Sequence, residues 1–312
     1  MSMRVPPVLA GLVDDAALVP PCTTDLVSAL SAHRGYRAAW YADLVGPWLL
    51  PASRCAEAAA VLDRAADRAT DRAEPDAGCQ RSIRVGVVGD AGPAPSGLRE
   101  VASAIADRRG QLEIEHVETP VAMRGDDPLP GLRAVLDLER AANEGRAPLA
   151  FYPEIPLTWG VLASLDVLGE ASAAGARVAP KFRVGGLAAE LFPTPVELGA
   201  IICACRDRDL PFKLTAGTQR AVRRTDPETG LVNHGFLNVL AAVLAAHTGM
   251  EAAELAELLG STDPSPLVAL VTRNLEVQRP LWRGFSGCCG MEELLGDLRV
   301  LELLPVPPET SP

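Results

Sequence analysis

Two periods of apolar residues alternate along the chain. Short runs rich in Val, Ile, Leu and aromatic residues recur at 44–50, 83–88, 112–117, 149–152, 177–184 and 212–215. A short apolar run at 16–19 and a weak one near 283–286 flank them. Between these lie longer Ala/Leu-rich stretches with apolar positions at helical spacing: 24–33, 54–72, 96–109, 132–143, 158–173, 194–208, 235–248, 251–259 and 291–304. Thr194, Pro195 and Glu197 form an N-terminal signature for one of them: a cap, a first-turn proline and a glutamate three residues after the cap. A polar joint with Pro and Gly occupies 74–80. Strand and helix alternate about eight times, which predicts a parallel sheet with helices outside it. That number suits a closed (β/α)8 barrel better than an open sheet. The expectation is an α/β fold with one barrel domain over 1–304 and a short Pro-rich tail at 305–312.

Composition narrows the classes. The chain has 312 residues, 48% apolar and 22% charged, and a net charge of −11. Such a charge repels phosphate, so neither nucleic acid nor an anionic membrane is an expected partner. No apolar run approaches the roughly 20 residues of a bilayer span. Residues 1–20 contain only Arg4 as a basic group and do not read as a secretory signal. Seven cysteines, at 22, 55, 79, 203, 205, 288 and 289, show no regular framework. Reduced thiols and a cytoplasmic location follow as expectations. A homo-oligomer is compatible with this reading.

Only two of the 29 basic residues are lysines, Lys181 and Lys213. A GC-rich genome accounts for the arginine bias, so position carries the argument. In a parallel barrel, chemistry sits at the C-terminal ends of the strands. There stand Gly89-Asp90, Glu118-Thr119-Pro120, Glu154-Ile155-Pro156, Lys181-x-Arg183-x-Gly185-Gly186 and Lys213-x-Thr215-x-Gly217. Residues two apart share a strand face, so Lys181 points with Arg183 and Lys213 with Thr215. Crowded cations lower an amine's pKa and make it nucleophilic. Three readings stay open: a nucleophilic lysine, a clamp for an anionic group, or structural pairing with Glu118 or Glu154.

Other groups complete the inventory. Asp90, Glu118 and Glu154 are candidate general bases, with Asp14 and Asp15 joining from the first strand. His234 is a candidate acid/base group or part of a helix cap region. Gly186 and Gly217 offer backbone N–H groups to an anion. His116 reads as a packed core residue, and His33 and His247 as solvated. Cys288-Cys289 offers a thiol, while Cys203 and Cys205 face different sides of a helix. No CxxC, Asp-x-Asp, His-x-His or His-Glu-x-x-His run supports a metal, and no cofactor is implied. Gly86-x-x-Gly89-x-x-Gly92 is not the dinucleotide fingerprint.

Lys181-x-Arg183-x-Gly185, followed by Lys213-x-Thr215-Ala216-Gly217, resembles strands six and seven of class I aldolases of the deoxyribose-phosphate aldolase type. The resemblance covers about 40 residues and implies Lys181 as imine nucleophile and Lys213 as the cation that lowers its pKa. A second resemblance covers nearly the whole chain. Val13-Asp14-Asp15-Ala16-Ala17, Pro211 to Gly217 and His234-Gly235-Phe236-Leu237-Asn238-Val239 are similar to an uncharacterised, largely actinobacterial family. It implies the architecture and no reaction. Members often carry Leu-His-His where this chain has Thr218-Gln219-Arg220.

These readings combine into one expectation: a lyase for a small anionic carbonyl compound, working by aldol-type chemistry through a lysine Schiff base. Lys181, Lys213, Glu154, Asp90 and His234 are its expected catalytic residues. Arg183, Thr215, Glu118, Gly186 and Gly217 are expected to bind substrate. Two alternatives stand beside it: a non-catalytic barrel holding an anionic ligand, and an imine-independent lyase, isomerase or cyclase using the carboxylates and His234.

Overall fold

The computed structural model describes residues 4–22, 24–71, 82–106, 112–217, 220–287 and 291–304. The tail 305–312, the joint 74–80, Thr218-Gln219 and Cys288-Cys289 lie outside the described residues.

Eight strands form a closed parallel barrel: β1 (Val13–Asp15), β2 (Val45–Pro51), β3 (Ile83–Val88), β4 (Leu112–Pro120), β5 (Ala150–Glu154), β6 (Lys181–Arg183), β7 (Phe212–Thr215) and β10 (Trp282–Gly287). Around the ring the order is β1-β10-β7-β6-β5-β4-β3-β2, so the expected (β/α)8 architecture stands. The helices are α1 (Leu26–Ala38), α2 (Cys55–Asp71), α3 (Leu98–Ala106), α4 (Pro128–Asn143), α5 (Val161–Ala173), α6 (Pro195–Arg206), α7 (Phe236–His247), α8 (Ala252–Gly260), α9 (Pro264–Thr272) and α10 (Met291–Val300). A two-stranded hairpin, β8 (Arg224–Thr225) with β9 (Val232–Asn233), stands apart from the barrel sheet. Among the described residues no helix is long and apolar enough to cross a membrane. By their contacts the residues group into two compact units.

One unit comprises Asp15–His33 and Pro47–Lys181. Its strands pair in register, Leu49 with Gly86, Gly86 with His116, Glu118 with Tyr152 and Glu154 with Lys181. Gly86 is a packing requirement, since a Cβ there would lie 2.3 Å from His116 Nε2. His33 is buried, against the expectation of a solvated ring. Its Nδ1 lies 3.0 Å from Asp15 Oδ2, and the ring stacks on Trp48 with centroids 6.1 Å apart. Asp15 also accepts from the Ala17 amide, so this first-strand carboxylate fastens α1. Strand β6 is shorter than the predicted 177–184. Pro180, which has no N–H, stands between the isolated Phe151–Val178 bridge and Lys181.

The other unit comprises Met1–Asp14, Arg34–Gly46 and Phe182–Pro312. Phe212 to Thr215 aligns with Trp282 to Ser286 between β7 and β10. Helix α7 is buried from Phe236 to Ala246, as an all-round apolar helix must be. Its one amide, Asn238, donates to the Leu258 and Ser261 carbonyls and accepts from the Arg223 amide. The Thr194–Glu197 capping box opens α6 as its sequence predicts. Two features differ from expectation. The first strand precedes the apolar run 16–19. Helix α9, Pro264–Thr272, was not predicted. Pro264 stands at a helix start, where its missing N–H costs nothing, and Asp263 caps the turn.

Candidate functional site

A polar cluster of the first unit gathers where the C-terminal ends of β4 and β5 meet Lys181, the first residue of β6. Lys181 Nζ donates to Glu118 Oε2 at 2.7 Å and lies 3.2 Å from Glu154 Oε2. The other Glu118 oxygen is 3.1 Å from His116 Nε2. His116 rests edge-on against Tyr152. Strand register explains the set. His116 and Glu118 are two apart on β4, Glu118 lies beside Tyr152, and Glu154 lies beside Lys181. The Glu118 side chain is wholly buried and that of Lys181 nearly so, whereas the Glu154 side chain is 16% exposed.

In the second unit Lys213 pairs with Asp14, and both are buried. Thr215, two residues on from Lys213, is buried at the end of β7 and stands beside Ser286 of β10. Gly46 leaves room for the Asp14 carboxylate, which a Cβ there would overlap. Each lysine is thus held by carboxylates. Opposite charges this close favour the ammonium form, the reverse of the cation crowding that activates a nucleophilic amine.

The remaining expected site residues have more local roles. Arg183 is exposed at the end of β6, beyond buried Lys181. Asp90, also exposed, accepts from the Ser53 amide and hydroxyl and so staples the ends of β2 and β3. Gly217, at φ +73°, is required by packing. A Cβ there would lie 2.4 Å from the Val184 carbonyl oxygen and 3.2 Å from Gly185 Cα. Gly186 meets the Leu191 side chain in the same loop.

His234 is buried, and both ring nitrogens are engaged. Nε2 donates to the Pro193 carbonyl at 2.7 Å, so Nδ1 is the acceptor 3.2 Å from Arg223 Nη1. Burial and the nearby Arg223 charge push its pKa down from 6.5 to about 4, against hydrogen bonds that raise it. The ring is a neutral tie between loops rather than a proton carrier. The folded state therefore resists protonation that the unfolded chain accepts. Stability is full above pH 6.5 and falls as the pH drops toward 4, by up to about 3 kcal/mol. Denaturant titrations at neutral and acidic pH check this, and His234→Gln is expected to remove that part of the slope.

Two buried thiols are inert by the same physics. Burial pushes the Cys55 thiol up to about 12 and raises Cys205 further. Cys22, Cys55, Cys203 and Cys205 form no disulfide among the described residues. A cavity of about 340 Å³ lined by Ser53, Cys55, Glu100, Val85 and Ile114 lies between α2, α3 and the sheet, without any residue of the lysine network.

Sequence reasoning missed His116 as a partner of Glu118, Asp14 as the partner of Lys213, and Ser286. The His116-x-Glu118 spacing was the available signal, since it places both on one face of β4.

No family model and no curated protein matches the chain. Similar solved structures are xylanases. Xylanase A of P fluorescens subsp. cellulosa, a mutant in complex with xylopentaose, is 11% identical with a TM-score of 0.43, covering 88% of this chain and 84% of that one. A thermostable xylanase mutant from Cellvibrio japonicus is 12% identical with a TM-score of 0.42, covering 88% and 84%. The catalytic core of xylanase A is 12% identical with a TM-score of 0.42, covering 89% and 87%. At these values the likeness says nothing of what this chain acts on. None of the three is a lyase, and neither the aldolase nor the actinobacterial resemblance has a counterpart among them. The expected Schiff-base lyase is corrected on the geometry, in which both amines are engaged by carboxylates.

Proposed function

We propose that the protein is a general acid–base enzyme in which Glu154 moves a proton and Lys181, as an ammonium, steadies negative charge developing on a substrate oxygen. No covalent bond to lysine forms. The observation that carries this reading is the unequal exposure of two carboxylates on one ammonium. Glu118 is sealed between Lys181 and His116, while Glu154 retains access to solvent. A sealed carboxylate fixes the ammonium in place, and an accessible one exchanges protons with a ligand.

The chemistry that fits is removal of a proton from carbon next to a carbonyl. The proton passes to Glu154, and the enolate oxygen takes a hydrogen bond from Lys181. With two carboxylates to one ammonium, the cluster suits a neutral hydroxy-carbonyl compound better than the anionic substrate expected from the lysines alone.

Solvent isotope exchange tests the reading. The protein is incubated in heavy water with a panel of small hydroxy-carbonyl compounds, and deuterium at carbon is read by mass spectrometry. Exchange well above the uncatalysed rate for at least one compound is the expected result. Binding without exchange, or no response across the panel, contradicts it.

A further inference from the structure

We propose that Asp14, Lys213, Thr215 and Ser286 form a binding site for adjacent hydroxyl groups of a neutral polyol. The four residues belong to one unit of the chain and come from β1, β7 and β10, and β10 pairs with both other strands. Thr215 and Ser286 are register partners, so their side chains leave the sheet on the same face. Lys213 shares that face by its two-residue spacing from Thr215. Asp14 reaches Lys213 across the unit. Thr215 closes β7, and Ser286 is one residue from the end of β10. Ligands enter parallel barrels at those strand ends.

The hydrogen-bonding inventory selects the ligand class. The ammonium only donates, the carboxylate only accepts, and the two hydroxyls do both. Adjacent hydroxyls of a polyol present the matching mixture. The ammonium and carboxylate carry opposite charges, so the four residues have no net charge of their own.

A second observation points to a ligand independently. Ser286 is 6% exposed, and its hydroxyl has no hydrogen-bond partner among the described residues. A buried unpaired hydroxyl disfavours the free protein, and a ligand hydroxyl bonded to it recovers that loss. The proposal holds whether or not Glu154 transfers protons.

Ser286→Ala separates a ligand-binding role from a structural one. Calorimetric titration uses glycerol, erythritol and glucose as neutral probes, with glycerol 3-phosphate and lactate as anionic ones. Saturable binding of a neutral probe is expected, stronger than that of either anion. In Ser286→Ala the affinity is expected to fall about 3–10-fold. The melting temperature of the free variant is expected to stay level or rise, because an unpaired polar atom has gone. Three results would overturn the proposal: preference for an anion, unchanged affinity in the variant, or a free variant that melts several degrees lower.

Discussion

Replacing Lys181 by methionine is expected to lower folding stability by about 3–5 kcal/mol, the cost of leaving buried charge without its partner. The change keeps the length and apolar stem of the side chain and removes only the ammonium. Glu118 is then sealed in the protein without its ammonium, and Glu154 loses the cation beside it. Adding Glu118→Gln and Glu154→Gln to the same chain is expected to return much of the loss, since neutral amides carry a smaller desolvation cost. Urea titrations of the single and triple variants check both halves. A neutral, nucleophilic Lys181 predicts the opposite, because methionine would replace an uncharged chain of similar volume at little cost.

Glu154→Gln is expected to slow the proposed isotope exchange by about 10²–10⁴-fold while leaving stability within about 1 kcal/mol. The two effects separate because Glu154 is the partly exposed member of the cluster. Its removal still leaves Lys181 bonded to Glu118 at 2.7 Å. Glu118→Gln is expected to behave the other way round, with a larger loss of stability, because Glu118 holds both Lys181 and His116. If the two variants lost exchange and stability equally, the division of roles between the carboxylates would fail.

Much of the architecture was legible because the two apolar periods are strong at β3, β4, β5 and β7. It failed where local chemistry contradicts the final setting. Val13-Asp14-Asp15 is two-thirds carboxylate, and the short apolar run at 16–19 lies just after the strand. Its charges are buried by Lys213 and His33, which lie far away in sequence or on a helix. Pro264 and Pro266 disguised α9. The two-residue strands β8 and β9 are too short to show a period.

The site was half legible. Parity along each strand put Lys181 on β6 and Lys213 on β7, where the structure also has them. What parity does not supply is the neighbour across the sheet, which depends on register. The sequence therefore left open whether the amines face each other, an anion, or Glu118 and Glu154. The folded register sets Glu154 beside Lys181, and β1 supplies Asp14 to Lys213. His234 was misleading for a related reason. Its position before an apolar helix suggested an acid/base group or a helix cap, but Pro193 and Arg223 occupy both nitrogens.

The central claim is that both amines remain ammonium ions held by carboxylates. The chain has only two lysines, so lysine labelled at the side-chain nitrogen gives two signals in a magnetic resonance spectrum. Following them from about pH 5 to about pH 9 should show neither signal titrating, as ion-paired ammonium requires. A signal that moves to the neutral-amine position near pH 7, and shifts further when a carbonyl compound is added, would contradict the account.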